Sequence, residues 1–578
     1  MKIALLEFLL KKSILLSLVI LALVFPGAVH SQEPAILVDT STSYGSMKNM
    51  AGGINFWGQK EAQERFIKEV GTYLYRFKMR LHKVEKKAGG YTRFPWEGDD
   101  VTPEDMTVLI QNLNLAKTKG CKIIVQMYGI PNWLSTSRDE RIITNNLPNY
   151  AKYPPKDFVE WAKLVFTAIR ELKRLGLEGI DYYEIFGEPN VGSTWYEQTM
   201  PCRRNGDTVL GCEQNELGHN TLQVMKNFLK VYKYTVKGIR AADPEAKTGK
   251  IGGVAIIPTP DGIWWTRLLA KYAKLYNLPL DFYSWHWYGI DEAMTSIFGR
   301  IEPHKPLTID LIRRRFENSL TKQGFSDFQI DAIIGDIYDY LKDLEQLDQE
   351  AIRFPYSFAS SHLRRVLLEE GFSATELFLT EWNVNYVPDR RHDTHYGASH
   401  ITRGLIDISD SGTEAQNLYG LSHTKPFYYD DGYGGSFSIF TSDGRNIPKA
   451  SFNALKLFSM LGNEVERIFV DIPDDDIYVI ATKDENNVSV LATYYVMAKD
   501  PRNPNYDLSK PVAISISNLP FSEYTYKVYL IDGKHSNSYY GSGPELEIVD
   551  SGSSFGDFEK VLDLPIYGVV MVEVERNH

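Results

Sequence analysis

The middle of the chain alternates short apolar runs with longer segments whose apolar residues recur every three or four positions. The run 122–128 is a predicted strand, and it is followed by a predicted helix in which Phe158, Val165 and Leu172 share one face before Gly176 ends it. Such alternation of the two periods is typical of βα units around a parallel sheet. The pattern therefore predicts an α/β fold for this part of the chain.

About eight such strands follow one another between residues 49 and 462. They are predicted at 53–56, 72–79, 122–128, 180–186, 251–256, 281–287, 377–380 and 417–421. This number predicts a (β/α)8 TIM barrel, and the Gly-rich phosphate turn usual in a doubly wound sheet is not visible. The stretch 292–356 is charged, helical in pattern and too long for an ordinary βα loop. We expect an insertion there, which either walls the substrate cleft or forms a solvated helical subdomain.

From residue 463 to residue 578 the pattern changes to short alternating segments separated by polar turns such as 484–487. Repeated short strands of this kind predict a C-terminal β-sandwich. The N-terminal segment 32–48 contains an extended stretch at 36–38 that can add a strand to the same sandwich.

The first 31 residues have the pattern of a signal peptide. Lys2, Lys11 and Lys12 precede an apolar run at 14–25, and small residues follow it. The run is shorter than the roughly 20 apolar residues of a transmembrane helix, and no later stretch approaches that length. We therefore expect an exported protein, periplasmic or secreted, without a membrane span.

The composition of the chain limits the classes of molecule that it is expected to bind. The chain is 43% hydrophobic and 24% charged, as in globular proteins, and its net charge of −11 disfavours nucleic acids and anionic membranes. Cys202 and Cys212 share a loop and either pair or remain surface thiols, whereas Cys121 is expected to be buried. Three cysteines without partner histidines give no metal-ligand spacing, so no metal and no cofactor are expected. The oligomeric state is left open.

Two glutamates stand at the C-terminal ends of predicted barrel strands, Glu188 after the fourth and Glu381 after the seventh. Barrel enzymes carry their chemistry on this face. Retaining cleavage of a glycosidic bond needs two carboxyl groups about 5–5.5 Å apart, one to protonate the leaving oxygen and one to attack the anomeric carbon. Either glutamate alone could instead cap a helix, but the pair predicts a glycosidase.

The motifs around these residues resemble those of clan A glycoside hydrolases, and most of all family 39, which contains xylosidases, iduronidases and bacterial exopolysaccharide hydrolases. The resemblance runs from about residue 53 to residue 461. It is carried by Gly53-Ile54-Asn55, Tyr75-Arg76-Phe77, Glu188-Pro189-Asn190, His286-Trp287-Tyr288, Thr380-Glu381-Trp382-Asn383 and the segment 443–449. The resemblance implies retaining hydrolysis with Glu188 as the acid/base and Glu381 as the nucleophile.

Other side chains are candidates for substrate binding. Arg76 can orient the nucleophile as a bidentate donor or brace the barrel, and His286 and Tyr288 point to the same side of one strand. Tryptophans after barrel strands can stack on sugars or simply pack. The predicted substrate-binding set is Arg76, Lys78, Trp133, Asn190, His286, Tyr288 and Trp382, with Trp195, Trp287, Asp430, Asp431 and Tyr433 as weaker candidates.

Two positions depart from the family pattern. Gly187 stands where the family usually has the Asn that precedes the acid/base, and Lys78 stands where it has a His after the Arg-Phe pair. Loss of the Asn side chain is expected to leave space beside C2 of the sugar. Lys78 is expected to favour an anionic group such as a sulfate or a uronate.

The sequence thus predicts an exported retaining glycoside hydrolase that cleaves a β-glycosidic bond in a polysaccharide or oligosaccharide. Two alternatives are a carbohydrate-binding protein with a barrel fold and little catalysis, and a transglycosylase with the same residues. The glutamate pair weighs against the first alternative, because a protein that only binds sugar needs no acid and nucleophile. The sugar, its linkage and endo or exo action are left open.

Overall fold

A computed structural model of the chain describes residues 35–55, 60–87, 90–92, 103–138, 140, 142–144, 147–177, 179–189, 202–204, 207–209, 221–243, 250–258, 260–289, 308–322, 325–346, 353–385, 388–422, 431–472, 474–497 and 506–577. The predicted signal peptide at 1–31 lies outside these residues. No helix among them is both long and apolar enough to cross a membrane.

Eight parallel strands form the first sheet. In chain order they are β1 (Gly53–Asn55), β2 (Leu74–Arg80), β3 (Lys122–Tyr128), β4 (Tyr182–Ile185), β5 (Lys250–Gly252), β6 (Phe282–Tyr288), β7 (Glu376–Asn383) and β8 (Ala415–Leu418). Their order in the sheet is β5-β4-β3-β2-β1-β8-β7-β6. Hydrogen bonds from Ile256 N to Ser284 O (3.1 Å) and from His286 N to Ile256 O (2.8 Å) join the two ends, so the sheet closes into a barrel.

Helices surround the barrel and connect its strands. They are α1 (Lys60–Glu69), α2 (Pro103–Thr118), α3 (Phe158–Arg174), α4 (Thr221–Ala242), α5 (Pro260–Leu275), α6 (Ile309–Lys322), α7 (Asp327–Gln346), α8 (Pro355–Glu369), α9 (His395–Asp410) and α10 (Ala450–Met460). Helix α3 shows the local cause of this pattern. The Asp157 side chain caps its N-terminus by accepting from two backbone N–H groups, and its buried face includes Trp161 and Leu172.

Two helices, α6 and α7, lie within the stretch predicted as an insertion. Helix α7 packs on the outer side of the barrel helix α5, where Arg267 pairs with Asp336 at 2.9 Å. Just before α7, the Phe325 ring meets Trp264 of α5 edge to face, with ring centroids 5.1 Å apart. These contacts hold the insertion against the barrel wall.

The second sheet has nine mostly antiparallel strands. Besides the N-terminal strand Ala35–Met47, they are β9 (Val465–Asp471), β10 (Ile477–Lys483), β11 (Asn487–Tyr494), β12 (Ser509–Ser517), β13 (Glu523–Ile531), β14 (Glu547–Phe555), β15 (Phe558–Pro565) and β16 (Val569–Arg576). Their order is β14-β13-β16-β11-β10-β9-N-terminal strand-β12-β15. Tyr526 of β13 contacts Phe558 of β15 with ring centroids 5.4 Å apart, so the sheet folds over on itself into two layers. The predicted fold class, a (β/α)8 TIM barrel with a C-terminal β-sandwich, is confirmed.

Helix α9 joins the two domains. Nearly all of its residues are buried. Tyr396 shares a hydroxyl hydrogen bond of 2.9 Å with Tyr495, and Ser399 shares one of 2.6 Å with Thr493. Because polar side chains of both domains meet in this buried interface, the β-domain is fixed to the barrel.

Three short hairpins complete the described strands. They are Glu85–Lys87 with Gly90–Thr92, Ile142–Thr144 with Leu147–Pro148, and Cys202–Arg204 with Asp207–Val209. Cys121 is a free, buried thiol as predicted, and burial raises its pKa to about 11. Cys212 lies outside the described residues, so its pairing with Cys202 stays a prediction.

Candidate active site

The chain turns sharply after β4 to present Glu188 at the barrel mouth. Glu188 itself has a positive φ of 49°, and its N–H donates to the carbonyls of Val254 (3.0 Å) and Ala255 (3.1 Å) in the loop after β5. A left-handed backbone at a residue other than Gly is uncommon and persists where its surroundings impose it. Contacts with the neighbouring loop therefore fix the direction of the Glu188 side chain, of which 19% remains exposed.

Glu381 is aimed at the barrel axis by a bulge in β7. Trp285 of β6 pairs with Leu379, but the next residue, His286, pairs with Glu381. Thr380 is thus the extra residue of a β-bulge, which re-aims side chains. As a result Thr380 and Glu381 both face the inside of the barrel, although neighbouring residues of a regular strand point to opposite sides.

Three donors surround the Glu381 carboxylate. Its Oε1 accepts from Nη1 of Arg76 and from Nζ of Lys78, both at 2.7 Å, and its Oε2 accepts from the Tyr288 hydroxyl at 2.9 Å. The Arg76 side chain is fully buried and only 8% of the Glu381 side chain is exposed. The contact with Arg76 is therefore shielded from water, and such charged contacts are stronger in a water-excluded site than in water.

These neighbours set the ionisation of the site. Burial of Glu381 favours its neutral form, but the electrostatic interactions with His286, Lys78 and Arg76 outweigh burial and hold the pKa of Glu381 well below its usual range. Burial and the nearby Glu381 raise the pKa of Tyr288 well above that of a free tyrosine. At neutral pH the site therefore holds an ionised Glu381 that accepts from a neutral Tyr288.

His286 bridges the two glutamates. Its Nδ1 lies 2.8 Å from Oε1 of Glu188 and 3.6 Å from Oε2 of Glu381, and its Nε2 lies 3.2 Å from the Thr380 hydroxyl. One oxygen of Glu188 and one of Glu381 lie within 4.8 Å of each other. The structure thus brings together Arg76, Lys78, Glu188, His286, Tyr288 and Glu381, all of which were predicted for the site.

Sequence reasoning missed the polar residues beneath these side chains. Glu184 on β4 is fully buried and accepts from Nε of Arg76 at 2.7 Å and from the Thr380 hydroxyl at 3.0 Å. Asn55 on β1 accepts from Nη1 of Arg76 at 3.1 Å. A charged residue inside an otherwise apolar strand was the available signal for Glu184.

Tyr419, which directly follows β8, was missed as well. Its ring lies 6.0 Å from that of Tyr288, edge to face, and Nζ of Lys78 lies 5.1 Å from its centre. The short apolar end of the eighth predicted strand gave no sign that this ring lines the site.

The prediction that Trp382 binds sugar is wrong. Its ring is fully buried on the helix side of β7, where its indole N–H donates to Oε1 of Gln416 at 2.6 Å. Trp287 is also buried, against Tyr356 of α8. Trp287 lies between His286 and Tyr288 on its strand, and Trp382 directly follows Glu381 on the next. Because those three residues face the inside of the barrel, both tryptophans must face outward.

The remaining candidates lie around the mouth or outside the described residues. Trp133, in the loop after β3, is half-buried and stacks on Tyr91 with ring centroids 5.8 Å apart. Asp431 pairs with Arg390 at 2.6 Å, and Tyr433 packs against Tyr539 of the β-domain. Asn190, Trp195 and Asp430 lie outside the described residues, and their roles stay predictions.

The Gln126 side chain lies beside Gly187. A Cβ atom at this position would lie 2.9 Å from Nε2 of Gln126, a buried side chain on β3. Gln126 Nε2 donates to the carbonyl of Phe186 at 2.8 Å, which holds the carboxamide in place. A side chain from the neighbouring strand therefore takes the Cβ position of residue 187, and the predicted room for a sugar substituent stays a prediction.

Within the described part of the chain, Glu188, His286 and Glu381 are the side chains close enough together to share a metal ion. Glu381, however, already accepts from Arg76, Lys78 and Tyr288. Two cations beside the carboxylate would repel a bound metal ion. The donor set fits acid–base and nucleophilic chemistry better than metal binding.

Part of the chain matches a known protein family, and its fold is similar to that of solved structures. Residues 346–542, which include Glu381, match the model of glycosyl hydrolases family 39. The fold is similar to that of the GH39 enzyme from Xanthomonas axonopodis pv. citri, with a TM-score of 0.62, 17% identity and coverage of 95% of this chain and 100% of that one. No curated protein matches the chain.

Two further solved structures share the fold. One is a monomeric beta-xylosidase from Caulobacter crescentus CB15, with a TM-score of 0.61, 18% identity and coverage of 94% of this chain and 100% of that one. The other is a glucosidase from Croceicoccus marinus, with a TM-score of 0.59, 16% identity and coverage of 94% of this chain and 100% of that one.

Proposed function

Since the chain most resembles the family 39 glycoside hydrolases, we propose that it cleaves β-glycosidic bonds in a polysaccharide or oligosaccharide with retention of anomeric configuration. The observation that carries the proposal is the separation of the two carboxyl groups, whose nearest oxygens lie within 4.8 Å. Retaining glycosidases hold these groups about 5–5.5 Å apart, whereas inverting enzymes need about 6.5–9.5 Å to admit a water molecule.

In the first step Glu381 attacks the anomeric carbon while Glu188 gives its proton to the leaving oxygen. The glycosidic bond breaks, and an ester between the sugar and Glu381 forms. Arg76 and Lys78 keep Glu381 ionised and aimed before the attack. Tyr288 holds Oε2 in place through a hydrogen bond that a neutral phenol donates.

In the second step Glu188, now a carboxylate, takes a proton from water, and the water oxygen attacks the anomeric carbon. The ester bond breaks and Glu381 is restored as a carboxylate, with two inversions adding up to retention. Nδ1 of His286 lies 2.8 Å from Oε1 of Glu188 and holds this carboxyl group in place by a hydrogen bond.

β-Xylosides and β-glucosides are the first substrates to test, because solved structures with this fold are named as a beta-xylosidase and a glucosidase.

The experiment is to measure hydrolysis of aryl β-xylosides and β-glucosides by the wild type and by Glu381→Ala. We expect the variant to lose several orders of magnitude in turnover, because no ester can form. Azide should partly restore activity and give a product of inverted configuration. Full activity in the variant would exclude Glu381 as the nucleophile.

The acid/base assignment has its own test. Glu188→Gln should flatten the alkaline limb of the pH–rate profile and spare substrates whose leaving groups need no protonation. Equal damage to activated and natural substrates would show that Glu188 has another role. A wild type that binds sugars but hydrolyses no glycoside would identify a carbohydrate-binding protein, whereas transfer products in the presence of an added acceptor would identify a transglycosylase.

We also propose that the protein is exported, to the periplasm or outside the cell. The support is the basic, apolar and small-residue pattern of residues 1–31. Expression of the full chain and N-terminal sequencing of the product test this. A mature N-terminus near residue 32 is expected, and retention of the first residues in an active protein would contradict export by cleavage.

A further inference from the structure

A continuous series of hydrogen bonds runs beneath the site from one catalytic glutamate to the other. It begins at Glu381, passes through Arg76 to Glu184, continues through the Thr380 hydroxyl to His286, and ends at Glu188. Glu184, at its centre, is fully buried and touches neither catalytic carboxyl group directly. Its two oxygens therefore act on the site through Arg76 and Thr380.

The directions of these bonds follow from the donor inventory. A threonine hydroxyl carries one proton, and Thr380 donates it to Oε1 of Glu184 at 3.0 Å. The Thr380 hydroxyl oxygen also lies 3.2 Å from Nε2 of His286. Because its only proton is already donated to Glu184, this oxygen can only accept there, and Nε2 must carry a proton. In a neutral imidazole Nδ1 is then unprotonated, and it accepts a hydrogen bond from the carboxylic acid group of Glu188 across 2.8 Å.

We propose that Glu184 is a positioning residue that fixes the tautomer of His286 through Thr380 while it orients Arg76 beneath the nucleophile. The buried carboxylate of Glu184 thus keeps Glu188 hydrogen-bonded in its acid form and keeps the carboxylate of Glu381 oriented for attack. The inference rests on the proposed function of the two glutamates and adds to it the group that coordinates them.

Glu184→Gln gives a sharp test because a carboxamide can fit in only one orientation. Its oxygen must face the N–H of Arg76, which leaves its NH2 group facing Thr380. The Thr380 hydroxyl then accepts from Gln and turns its own proton toward His286. Nε2 must now accept, so the proton moves to Nδ1, which donates to Glu188 and favours its carboxylate.

The first readout is the pH–rate profile of the full chain on an aryl β-glycoside. The alkaline limb of Glu184→Gln should move to lower pH by about 1 to 2 units, the size of shift that a hydrogen bond to one protonation form produces. The value of kcat should fall by up to about 10²-fold, because misplacement of a reacting group costs that much, with KM little changed.

Thr380→Val separates relay from packing. It removes the hydroxyl and keeps the shape of the side chain. In the Thr380→Val background, adding Glu184→Gln should therefore move the alkaline limb no further. Thr380→Ser keeps the hydroxyl and should retain the wild-type pH profile. Thr266→Val is the matched control. It removes a buried hydroxyl on α5 that contacts Tyr283 at 2.8 Å, away from the series, and should leave both limbs in place.

The second readout does not depend on activity. In protein labelled with 15N-histidine, with His286 assigned by its loss in His286→Asn, the neutral ring should carry its proton on Nε2 in the wild type and on Nδ1 in Glu184→Gln. If Glu184→Gln fails to fold, the comparison of Thr380→Val with Thr380→Ser carries both readouts, with the Nε2 proton retained in the serine variant and no longer fixed in the valine variant.

Two results would overturn the inference. One is a His286 tautomer unchanged in Glu184→Gln, or equal in Thr380→Val and Thr380→Ser. The other is an equal shift of the alkaline limb by Glu184→Gln with and without Thr380. Failure of the proposed function would look different, since Glu188→Gln would then leave the alkaline limb intact while the tautomer still followed Glu184.

Discussion

Lys78→Met should move the acidic limb of the pH–rate profile to higher pH. Nζ of Lys78 lies 2.7 Å from Oε1 of Glu381, and opposite unit charges at this distance attract by about 1.5 kcal/mol in water and about 6 kcal/mol at an effective dielectric constant of 20. Because 19% of the Lys78 side chain is exposed and its own desolvation offsets part of the attraction, we expect about 2–3 kcal/mol, or roughly two pH units.

The sign of the shift follows from the proposed role of Glu381 as the nucleophile. The pKa of Glu381 is held well below its usual range partly by Lys78, so removing that charge raises it and Glu381 becomes protonated, and inactive, at a higher pH. Arg76 remains, so the loss of kcat/KM should be larger at pH 4 than at pH 7.

The assay is kcat/KM on an aryl glycoside from pH 3 to pH 9. Lys456→Met is the control, since its ammonium lies 2.8 Å from Glu69 in a more exposed pair between α10 and α1 and such pairs contribute little. An acidic limb that stays in place in Lys78→Met, or moves to lower pH, would refute the reasoning that Lys78 keeps Glu381 ionised for its proposed role.

Three further variants test other parts of the structure. Burial raises the pKa of Asp407 to about 6, so its contribution to stability is present below about pH 3.9 and lost as the pH rises through about 6, by about 3 kcal/mol; Asp407→Asn should therefore show a smaller fall in Tm than the wild type between pH 4 and pH 7.5, and equal falls would contradict this. Trp382→Ala should lower the unfolding free energy by about 3–5 kcal/mol in denaturant titrations, whereas a stable variant with only a raised KM would restore Trp382 as a sugar contact. Gly187→Asn should lower kcat/KM because its Cβ would lie 2.9 Å from Nε2 of Gln126, and Gln126→Ala should recover part of the loss; an unimpaired single variant would show that Gln126 yields easily.

The barrel could be predicted because its strands are apolar runs bounded by helices of clear periodicity. The predicted run 122–128 coincides with β3, and the predicted run 281–287 differs from β6 by one residue at each end. By contrast, β14 and β15, the two edge strands of the second sheet, gave no hydrophobic signal, because most of their side chains are exposed or only partly buried. Exposed strands are held by backbone pairing, which the side chains do not reveal.

The site residues that could be predicted are those at the ends of strands or within recognisable motifs. Glu188, Glu381, Arg76, His286 and Tyr288 meet where the sequence placed them. Strict alternation would have assigned Trp382 to the outer face, opposite to Glu381. The bulge at Thr380 was not predictable, because it depends on the pairing of β6 with β7 rather than on either strand alone.

The two glutamates are the same residue type, and their neighbours make them different. Glu381 lies inside the barrel among Arg76, Lys78 and Tyr288, all of which stabilise its charge. Glu188 lies at the mouth, where Nδ1 of His286 lies 2.8 Å from its Oε1. Divergent surroundings of this kind assign acid and nucleophile in paired-carboxylate sites. The bulge and the buried carboxylate of Glu184 are what place those surroundings, so the chemistry at the mouth depends on packing one layer below it.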